Sequence, residues 1–352
     1  MKIMIVGIWA WPQYEEAFSR GLRESGVEVS ALSVSNFFKG YLGRIQQSIP
    51  LPGPVMLGLN RAVIAAVKAQ QPDLVLFWQP THVLPNTIRQ LVSMGVQTAS
   101  YNNDDPFRSK GYLNVPWHQH FLWHWYIKCL PLFNYNFFYR QINCAEAKAH
   151  GARHAEVLLP YFMPWQDCPV QITSNEQQRY ETDVVFVGHY EPDGREDSIR
   201  ALVTAGIRVK LWGGHYWSRT VLGDLYDSLS PIVPAEGGDY AKALCGAKIC
   251  LCFLSKLNRD TYTRRCFEIP ACGKVMLAER TDDLLQFFQE DEEACFFSSP
   301  EELVRKAQWL INNPAIRASI AQAGLLRVWA DGHDVANRAK YFLSVVTPIT
   351  LQ

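Results

Sequence analysis

The segment "LSKLNRDTYTRRCFEIPACGKVMLAE" occupies residues 254–279 and joins the end of an apolar strand, a cationic loop, a helix and a second apolar strand. A strand, a helix and a strand in this order form a βαβ unit, in which the two strands lie parallel in one sheet. We predict the helix over residues 261–272. The charged residues of the loop and helix are Lys256, Arg259, Arg264, Arg265 and Glu268. The segment predicts a parallel sheet with charged side chains at its carboxyl edge.

The same alternation of apolar runs and amphipathic segments continues along the whole chain. The predicted strands of the first half are residues 3–8, 27–33, 74–78, 97–101 and 156–159, and helical patterns cover 14–25, 59–70 and 84–94. The strands of the second half lie in "TDVVFVG", "RVKLWGG", "KICLCFL", "KVMLAE" and "ACFFS". This order is typical of doubly wound α/β sheets.

A proline-rich and polar stretch over residues 163–181 separates the two halves. We therefore predict an α/β fold with two Rossmann-like domains, residues 1–165 and 166–352, that face each other across a cleft. Ligands bind at the carboxyl ends of parallel strands, so we expect the active site in this cleft. Ser299, Pro300 and Glu302 form a capping box ahead of a helix. Residues 316–346 predict two further helices, and we expect the last one to return to the first domain.

The composition excludes several classes of protein. The chain has 352 residues, of which 48% are hydrophobic, and it balances 34 Lys and Arg against 34 Asp and Glu. A disordered chain and a dedicated nucleic-acid binder are therefore disfavoured. Residues 1–165 carry 14 basic and 9 acidic side chains, a difference of +5, and residues 166–352 carry 20 and 25, a difference of −5. The positive first half slightly favours an anionic or membrane-associated acceptor and leaves peripheral membrane contact open.

The cysteines and the start of the chain indicate a cytoplasmic protein. The nine cysteines are odd in number, contain no CxxC pair and lie mostly in apolar runs, so we interpret them as reduced thiols. The opening "MKIMIVGIWAWP" reads as a buried strand rather than a signal peptide, and no later stretch has 18 uncharged apolar residues.

Two strand ends of the first half carry candidate acceptor residues. The turn after the first strand contains Gly7 but no GxGxxG motif, which argues against a nicotinamide or flavin enzyme. Either the glycine only permits a tight turn, or Trp9 and Trp11 line the cleft beside it. The residues after the strand 97–101 are Asn102, Asn103, Asp104 and Asp105. They could orient acceptor hydroxyl groups, or form an Asx turn and helix cap before Pro106.

No metal-binding pattern accompanies these carboxylates, and we predict neither a metal ion nor a bound cofactor.

Aromatic residues are dense between Gly111 and Arg140, where they number 11 in 30 residues. A buried helix pair over the sheet, a wall for the acceptor and a membrane-facing surface each explain this density.

In the second half, glycines and cations recur at predicted strand ends. Gly188 ends one strand and Arg195 opens the following helix, which suits a pyrophosphate. Gly214, after the next strand, leaves room for a base or ribose. Arg264 and Arg265 can neutralise a diphosphate leaving group while Glu268 accepts hydrogen bonds from ribose or sugar hydroxyls. A plain surface salt bridge is the alternative for this last pair of charges.

The run "RCFEIPACG", residues 265–273, resembles the carboxyl-terminal signature of the CgeB-like glycosyltransferases, which are related to the family 4, or group 1, glycosyltransferases. The resemblance extends over about residues 180–345 and is faint over 1–165, where mainly "YNNDDPF" matches. It implies the GT-B fold and sugar transfer from nucleotide-diphosphate donors.

The resemblance also implies roles for single residues. Glu268 and Gly273 match the second of two family glutamates, which binds the donor ribose, whereas Asp260 stands at the place of the first and is one methylene shorter. Asn103 and Asp104 stand where retaining members often have a histidine. The residues that the resemblance and the strand ends together assign to the donor are Gly188, His189, Arg195, Gly214, Lys256, Asp260, Thr261, Tyr262, Thr263, Arg264, Arg265 and Glu268.

The predicted function is sugar transfer from a nucleotide-diphosphate sugar, with a UDP-sugar as the preferred donor, to an acceptor hydroxyl. The candidate catalytic residues are Asn103, Asp104, Arg265 and Glu268, with Asp104 as the general base if transfer inverts the anomeric configuration. The acceptor is a lipid, a polysaccharide, a small metabolite or a protein. The alternative is a catalytically silent GT-B module that binds a nucleotide or sugar, because an aspartate replaces the first glutamate.

Overall fold

Two α/β units make up the computed structural model, which describes residues 1–108, 119–235 and 237–347. The first unit contains residues 1–159 together with the segment that begins at Val335, and the second contains residues 160–334. All strand pairs within the two sheets are parallel. This architecture confirms the α/β fold that the alternation of strands and helices predicts.

The described part of the first unit has a sheet in the order β2-β1-β3-β4-β5-β6. Its strands are β1 Lys2–Gly7, β2 Glu28–Ser33, β3 Leu74–Trp78, β4 Gln97–Asn102, β5 Tyr135–Phe138 and β6 Ala155–Val157. Its helices up to residue 159 are α1 Ala17–Glu24, α2 Gly40–Ser48, α3 Pro54–Gln70, α4 Pro85–Ser93, α5 Gln119–Leu122, α6 His124–Cys129 and α7 Gln141–Ala149. A π-helical turn, Pro12–Glu16, leads into α1.

The second unit has a sheet in the order β11-β10-β9-β7-β8. Its strands are β7 Thr182–Val187, β8 Val209–Trp212, β9 Ala247–Cys252, β10 Val275–Glu279 and β11 Cys295–Phe297. Its helices are α8 Gln177–Tyr180, α9 Arg195–Thr204, α10 Arg219–Leu222, α11 Leu225–Leu229, α12 Asp239–Gly246, α13 Arg265–Ala271, α14 Asp282–Phe287, α15 Pro300–Asn312 and α16 Pro314–Ala330.

Continuous apolar runs form the central strands because helices cover both faces of a parallel sheet. Every residue of β3 is buried, and so is every residue of β7. The capping box before α15 is confirmed, since the Ser299 side chain accepts a hydrogen bond from the Glu302 amide. The nine cysteines are free thiols, as the sequence predicts.

The units divide at residues 159 and 160, six residues before the predicted boundary of 165 and 166. Residues just after this point already pack in the second unit: the Arg264 guanidinium lies 5.1 Å from the ring centre of Tyr161, and Phe162 forms a β-bridge with Asp334. The last helix, α17 Val335–Val346, belongs to the first unit, where Phe342 packs edge-on against Phe18 at 5.6 Å.

Two local features differ from the sequence-based expectations. The aromatic segment contains strand β5, which pairs with β4 and is not among the predicted strands, as well as the helices α5 and α6. Its "YNFF" run has only four residues, and a buried helix pair was one of three explanations for the aromatic density. Residues 109–118 of this segment lie outside the described residues. Helix α13 begins at Arg265 rather than at residue 261, because Thr261 binds Asp283 through its hydroxyl and its carbonyl accepts a hydrogen bond from the Thr281 hydroxyl at 2.6 Å.

Candidate functional site

The carboxyl edge of the second sheet brings together most of the predicted donor residues. Gly188 follows β7, the loop 253–264 follows β9, and α13 begins at the end of that loop with Arg265. The two loops are tied to each other, because the Ser255 hydroxyl donates to Glu191 Oε2 at 2.6 Å and Lys256 Nζ donates to the Asp193 carbonyl. The predicted donor residues of β7, β9 and α13 therefore meet at one edge.

Gly188 permits the close approach of Arg265 to the end of β7. A Cβ atom at this position would lie 2.8 Å from Cζ of Phe186 and 3.1 Å from Nη1 of Arg265. The Gly188 carbonyl also accepts a hydrogen bond from the Trp217 indole at 2.8 Å. A side chain here would push the guanidinium away, so glycine is required by the packing and not only by the turn.

Glu268 is held from two sides. Its Oε1 accepts a hydrogen bond from Arg264 Nε at 2.7 Å, and its Oε2 accepts one from the Tyr240 hydroxyl at 2.5 Å. Burial and the neighbouring Glu268 carboxylate raise the pKa of Tyr240, which keeps this hydroxyl protonated. Each carboxylate oxygen can accept more than one hydrogen bond. The carboxylate is therefore fixed in orientation and can still accept a bond from a ligand hydroxyl.

Arg265 is a half-buried cation at the same edge. Its Nη2 donates to the Phe253 carbonyl at 3.2 Å, and its guanidinium lies 5.4 Å from the centre of the Phe186 ring. Its Nε is buried and, among the described residues, has no hydrogen-bond partner. A half-buried cation with an unused donor is suited to hold an anionic group.

Asp167 is a second buried carboxylate beside Glu268, and it is not among the site residues predicted from the sequence. Its side chain is 1% exposed, and Oδ2 accepts the Met163 amide at 2.7 Å. Burial raises the pKa of Asp167 to about 7, with a further increase from Glu268 and an opposing effect of Arg264. Two carboxylates in one low-dielectric site repel each other unless one is protonated.

Arg195 does not present its guanidinium at the edge. It is 3% exposed, its Nε donates to Asp193 Oδ1 at 2.8 Å, and its Nη1 donates to the His189 carbonyl at 2.8 Å. These bonds shape the turn between β7 and α9. The predicted contact of Arg195 with a pyrophosphate is therefore wrong. Its side chain stabilises the turn instead, because the carboxylate of Asp193, two residues earlier, binds the guanidinium.

The remaining predicted donor residues differ in how far they are exposed. Lys256 and the side chain of His189 are exposed, and His189 Nε2 lies 3.2 Å from Glu191 Oε1. Gly214 has a φ of +64°, which favours glycine. Tyr262 is 3% exposed and packs edge-on against Phe287 at 5.4 Å, so its side chain belongs to the core. Two half-buried residues complete the loop, Asp260 and Thr263.

The carboxyl edge of the first sheet is different in character. Glu15 is 2% exposed and its Oε1 accepts the Ile8 amide at 2.7 Å. A Cβ atom on Gly7 would lie 2.3 Å from the same Oε1, so the glycine makes room for this carboxylate. Burial raises the pKa of Glu15. The Glu15 carboxylate thus binds the backbone amide of Ile8 in the turn after β1.

Asp104 lies at this edge with a defined partner. Its Oδ2 accepts a hydrogen bond from Gln79 Nε2 at 2.9 Å. Gln79, directly after β3, has a left-handed φ of +48°, and Trp9, two residues after β1, has a φ of +56°. Left-handed backbone is unfavourable for these residue types. Strained residues therefore follow two neighbouring strands, β1 and β3.

Asn102 and Asp105 are both fully buried. Asp105 Oδ1 accepts the Phe107 amide and Asn143 Nδ2, each at 3.0 Å, which is the Asx turn that the sequence left open as an alternative. This turn argues against direct contact between Asp105 and an acceptor. The Asn103 carbonyl accepts from Arg140 Nη1 at 3.0 Å.

Several polar side-chain atoms at this edge are buried and, among the described residues, have no hydrogen-bond partner. They are Trp9 Nε1, Trp78 Nε1, Asn102 Nδ2 and Asn103 Oδ1. Such groups are costly unless a ligand or water satisfies them. Trp11, by contrast, is 59% exposed. The first edge thus offers uncharged donors and acceptors to a polar ligand.

Comparison with known proteins gives one match to a family model and several similar solved structures. Residues 195–344 match the sequence model of the family described as glycosyl transferase-like. The HepE protein of Anabaena in complex with UDP-glucose is similar over 98% of this chain and 99% of that one, with a TM-score of 0.66 and 13% identity. Sucrose-phosphate synthase of Thermosynechococcus elongatus is similar over 98% of both chains, with a TM-score of 0.68 and 12% identity.

A glycosyltransferase of Rickettsia africae is similar over 98% of this chain and 97% of that one, with a TM-score of 0.64 and 12% identity. No protein with a curated function matches the sequence. The fold is therefore GT-B, built from two Rossmann-like units, and the match to the glycosyl transferase-like model lies mostly in the second unit. The resemblance to the CgeB-like branch stays a prediction.

Within the described residues, no group of three His, Cys, Asp or Glu side chains could hold a metal ion. In the described part of the chain, no helix is long and apolar enough to cross a membrane.

Proposed function

We propose that this protein is a glycosyltransferase that moves a sugar from a nucleotide-diphosphate sugar, with a UDP-sugar as donor, to an acceptor hydroxyl. One observation carries the proposal: within residues 195–344, which match a glycosyl transferase-like domain, an oriented carboxylate and two half-buried arginine side chains lie at one strand edge. HepE, similar over the whole chain, has been solved in complex with UDP and with UDP-glucose.

The donor residues take separate roles in this proposal. Glu268 accepts hydrogen bonds from the ribose hydroxyls, and Arg264, Arg265 and Lys256 hold the diphosphate. Fixed cations aimed at a developing negative charge stabilise the transition state without reorganisation. Side-chain cations therefore supply the charge neutralisation, and we propose that the reaction needs no metal ion.

The transfer forms one bond and breaks another. The acceptor oxygen bonds to the anomeric carbon while the bond from that carbon to the diphosphate oxygen breaks, and the nucleoside diphosphate leaves with the bonding electrons. If the configuration inverts, Asp104 takes the acceptor proton. If it is retained, a phosphate oxygen of the leaving group takes that proton, and Asp104 orients the acceptor hydroxyl.

The acceptor is proposed to lie at the first edge, where Trp9, Trp11, Asn102, Asn103 and Asp104 stand. The unpartnered atoms of Trp9, Asn102 and Asn103 are uncharged hydrogen-bonding groups. They suit the hydroxyl groups of a sugar or a polyol. Asp105 is left out of the contact set because its side chain completes the Asx turn.

Thermal denaturation with UDP, GDP, dTDP, ADP and CMP tests the donor site. Binding at 100 times Kd adds about 2.7 kcal/mol to the stability of the native state. We expect stabilisation by UDP, followed by turnover of a UDP-sugar when candidate acceptors are added. Nucleotide binding without turnover across acceptor classes would favour the silent binding module, which the aspartate at position 260 motivates. Absence of any shift with folded protein would contradict both.

A further inference from the structure

An apolar and basic surface lies on helix α2 of the first unit and on the loop that follows it. Four large side chains protrude from α2 and the loop that follows it: Tyr41 is 81% exposed, Leu42 63%, Ile45 41% and Leu51 65%. On a helix, positions 41, 42 and 45 share one face. Exposed apolar side chains grouped in this way mark an interaction surface. We call these four residues the α2 surface.

The opposite side of α2 is firmly attached to the unit. A Cβ atom on Gly43 would lie 2.5 Å from the Phe38 carbonyl carbon, so the helix packs directly on that backbone. Gln46 Oε1 accepts the Met56 amide at 3.0 Å. His82 Nε2 bonds the carbonyl of Gln46 at 3.1 Å. The exposed side chains therefore project from a helix that the interior holds in place.

The chain segment that forms the α2 surface has charge of one sign. Residues 29–72 contain no Asp or Glu, and the exposed Lys39 and Arg44 lie just before α2 and within it. Helix α6 adds Lys128, whose Nζ lies 5.1 Å from the centre of the Trp125 ring. The Trp125 indole in turn donates to the Pro50 carbonyl at 2.6 Å, next to Leu51. Helices α2, α3 and α6 have no carboxylate side chain among them.

We infer that the α2 surface docks on an anionic lipid membrane. Apolar and aromatic side chains on one helical face enter the interface between headgroups and acyl chains, and nearby cations attract acidic lipids. A second copy of this chain is disfavoured as the occupant, because a two-fold symmetric contact would place one basic surface against another. The docking does not depend on the proposed function, and it would bring the first unit to acceptors at a membrane.

Vesicle flotation of the full chain tests this docking. The probes are phosphatidylcholine vesicles and vesicles in which about one third of the lipid is phosphatidylglycerol. We expect the protein to bind only the anionic vesicles, and to lose most of that binding when the salt is raised from about 0.1 M to about 1 M.

Two variants separate the apolar and the charged contribution. Leu42→Gln with Leu51→Gln should lower the partition coefficient by about tenfold or more, because two leucines that enter the membrane are lost. Lys39→Glu with Arg44→Glu should lower it by a similar factor and remove much of the salt dependence. The matched control is Leu326→Gln with Arg305→Glu, which changes an exposed leucine and an exposed cation in the second unit.

Equal binding to neutral and anionic vesicles would overturn the inference, and so would no binding to either. The same holds if the α2 variants bind as well as the wild type, or if the control variant loses as much. Analytical ultracentrifugation tests whether a second copy of this chain occupies the α2 surface. A dimer that the α2 variants dissociate, with lipid binding unchanged, would assign the surface to that second copy. All substituted side chains are exposed, so we expect the variants to fold.

Discussion

The two sheets end in edges of opposite character. At the second edge the groups are charged: Arg264 binds Glu268, and the buried Nε of Arg265 has no hydrogen-bond partner among the described residues. At the first edge the unpartnered groups are uncharged, as in Asn102 Nδ2 and Trp9 Nε1, and two neighbouring strands are followed by left-handed residues. The second edge is thus prepared for an anion before any ligand arrives. The first leaves hydrogen-bonding capacity and backbone strain in place, which suits a neutral, polar ligand.

Each edge also contains a buried carboxylate with a raised pKa, Glu15 at the first and Asp167 at the second, and their surroundings differ. Backbone amides, including that of Ile8, surround Glu15, and no cation is among the groups that shift its pKa. Asp167 faces Glu268 and Arg264. Burial raises the pKa of both acids, but only Asp167 has a neighbouring carboxylate that raises its pKa further. The experiments below begin with that difference.

The largest effect is expected for Asp167→Asn. The pKa of Asp167 is raised from 3.8 to about 7 in the folded protein, so the folded state binds more protons than the unfolded state between these values. Stability therefore falls as pH rises through this window, by at most about 1.4 kcal/mol per pH unit. The asparagine variant should show a flatter profile in urea denaturation between pH 5 and pH 7, approximate limits set by this shift.

The matched control for this experiment is Asp227→Asn. Asp227 is exposed and paired with Arg219, and the pairing lowers its pKa. Its titration therefore falls below the window, and this variant should keep the slope of the wild type. A slope that Asp167→Asn leaves unchanged would show that Asp167 is ionised throughout, and the contrast between the two buried carboxylates would disappear.

The second effect concerns the oriented carboxylate. Glu268→Gln removes the charge that both Arg264 and the ribose hydroxyls require, and we expect kcat/KM for the donor to fall about 100-fold. Glu302→Gln is the control, because Glu302 is also paired with an arginine, Arg280, at 3.0 Å. The measurement is kcat/KM of both variants from steady-state rates with the UDP-sugar identified as the donor. Equal activity of Glu268→Gln and the control would remove Glu268 from the donor site.

The sequence predicted the parts of both edges that depend on nearby residues. Strand β3 was predicted with the right bounds because its apolar run is continuous and flanked by polar residues. The contact between Arg264 and Glu268 follows from a spacing of four residues. The glycine at position 188 was predicted from its place after a strand. In each of these cases the residues that decide the structure are neighbours in the chain.

The parts that the sequence missed depend on residues brought together by the fold. Tyr240 is 28 residues from Glu268 in the chain, and Asp167 lies in a stretch that resembles a polar linker. Arg195 was assigned to a ligand because a cation after a strand suits phosphate, yet its own turn uses the guanidinium. Whether a charged side chain serves a ligand or the fold is decided by partners that spacing alone does not reveal.

A third experiment asks whether Tyr240 orients the Glu268 carboxylate for a ligand or only stabilises the fold. Tyr240→Phe removes the hydroxyl that holds Glu268 Oε2. If Tyr240 is a positioning residue, the variant should lose roughly tenfold in the preference for UDP over 2′-deoxyUDP, with affinity for the deoxy nucleotide unchanged. Calorimetry with both nucleotides gives the ratio.

Tyr180→Phe serves as the control for Tyr240→Phe. Tyr180 donates to Asp239 at 2.6 Å, so the variant loses the same kind of bond at the start of the same helix, α12. We expect its preference for UDP to equal that of the wild type. An equal loss of affinity for both nucleotides in Tyr240→Phe would mean that the tyrosine only stabilises the fold.

The smallest effect probes the strain of the first edge. Gln71 and Gln79 share a left-handed φ of +48°, but only Gln79 uses its side chain, in the 2.9 Å bond to Asp104. Glycine at either position relieves the backbone, a gain of about 1 kcal/mol. Gln71→Gly should therefore raise the free energy of unfolding by about that amount. Gln79→Gly should be nearly neutral, because it also loses a hydrogen bond worth about 1 kcal/mol. Equal stabilisation in denaturant titrations would show that the bond to Asp104 contributes nothing, and that the strain at this edge has no compensating contact within the described residues.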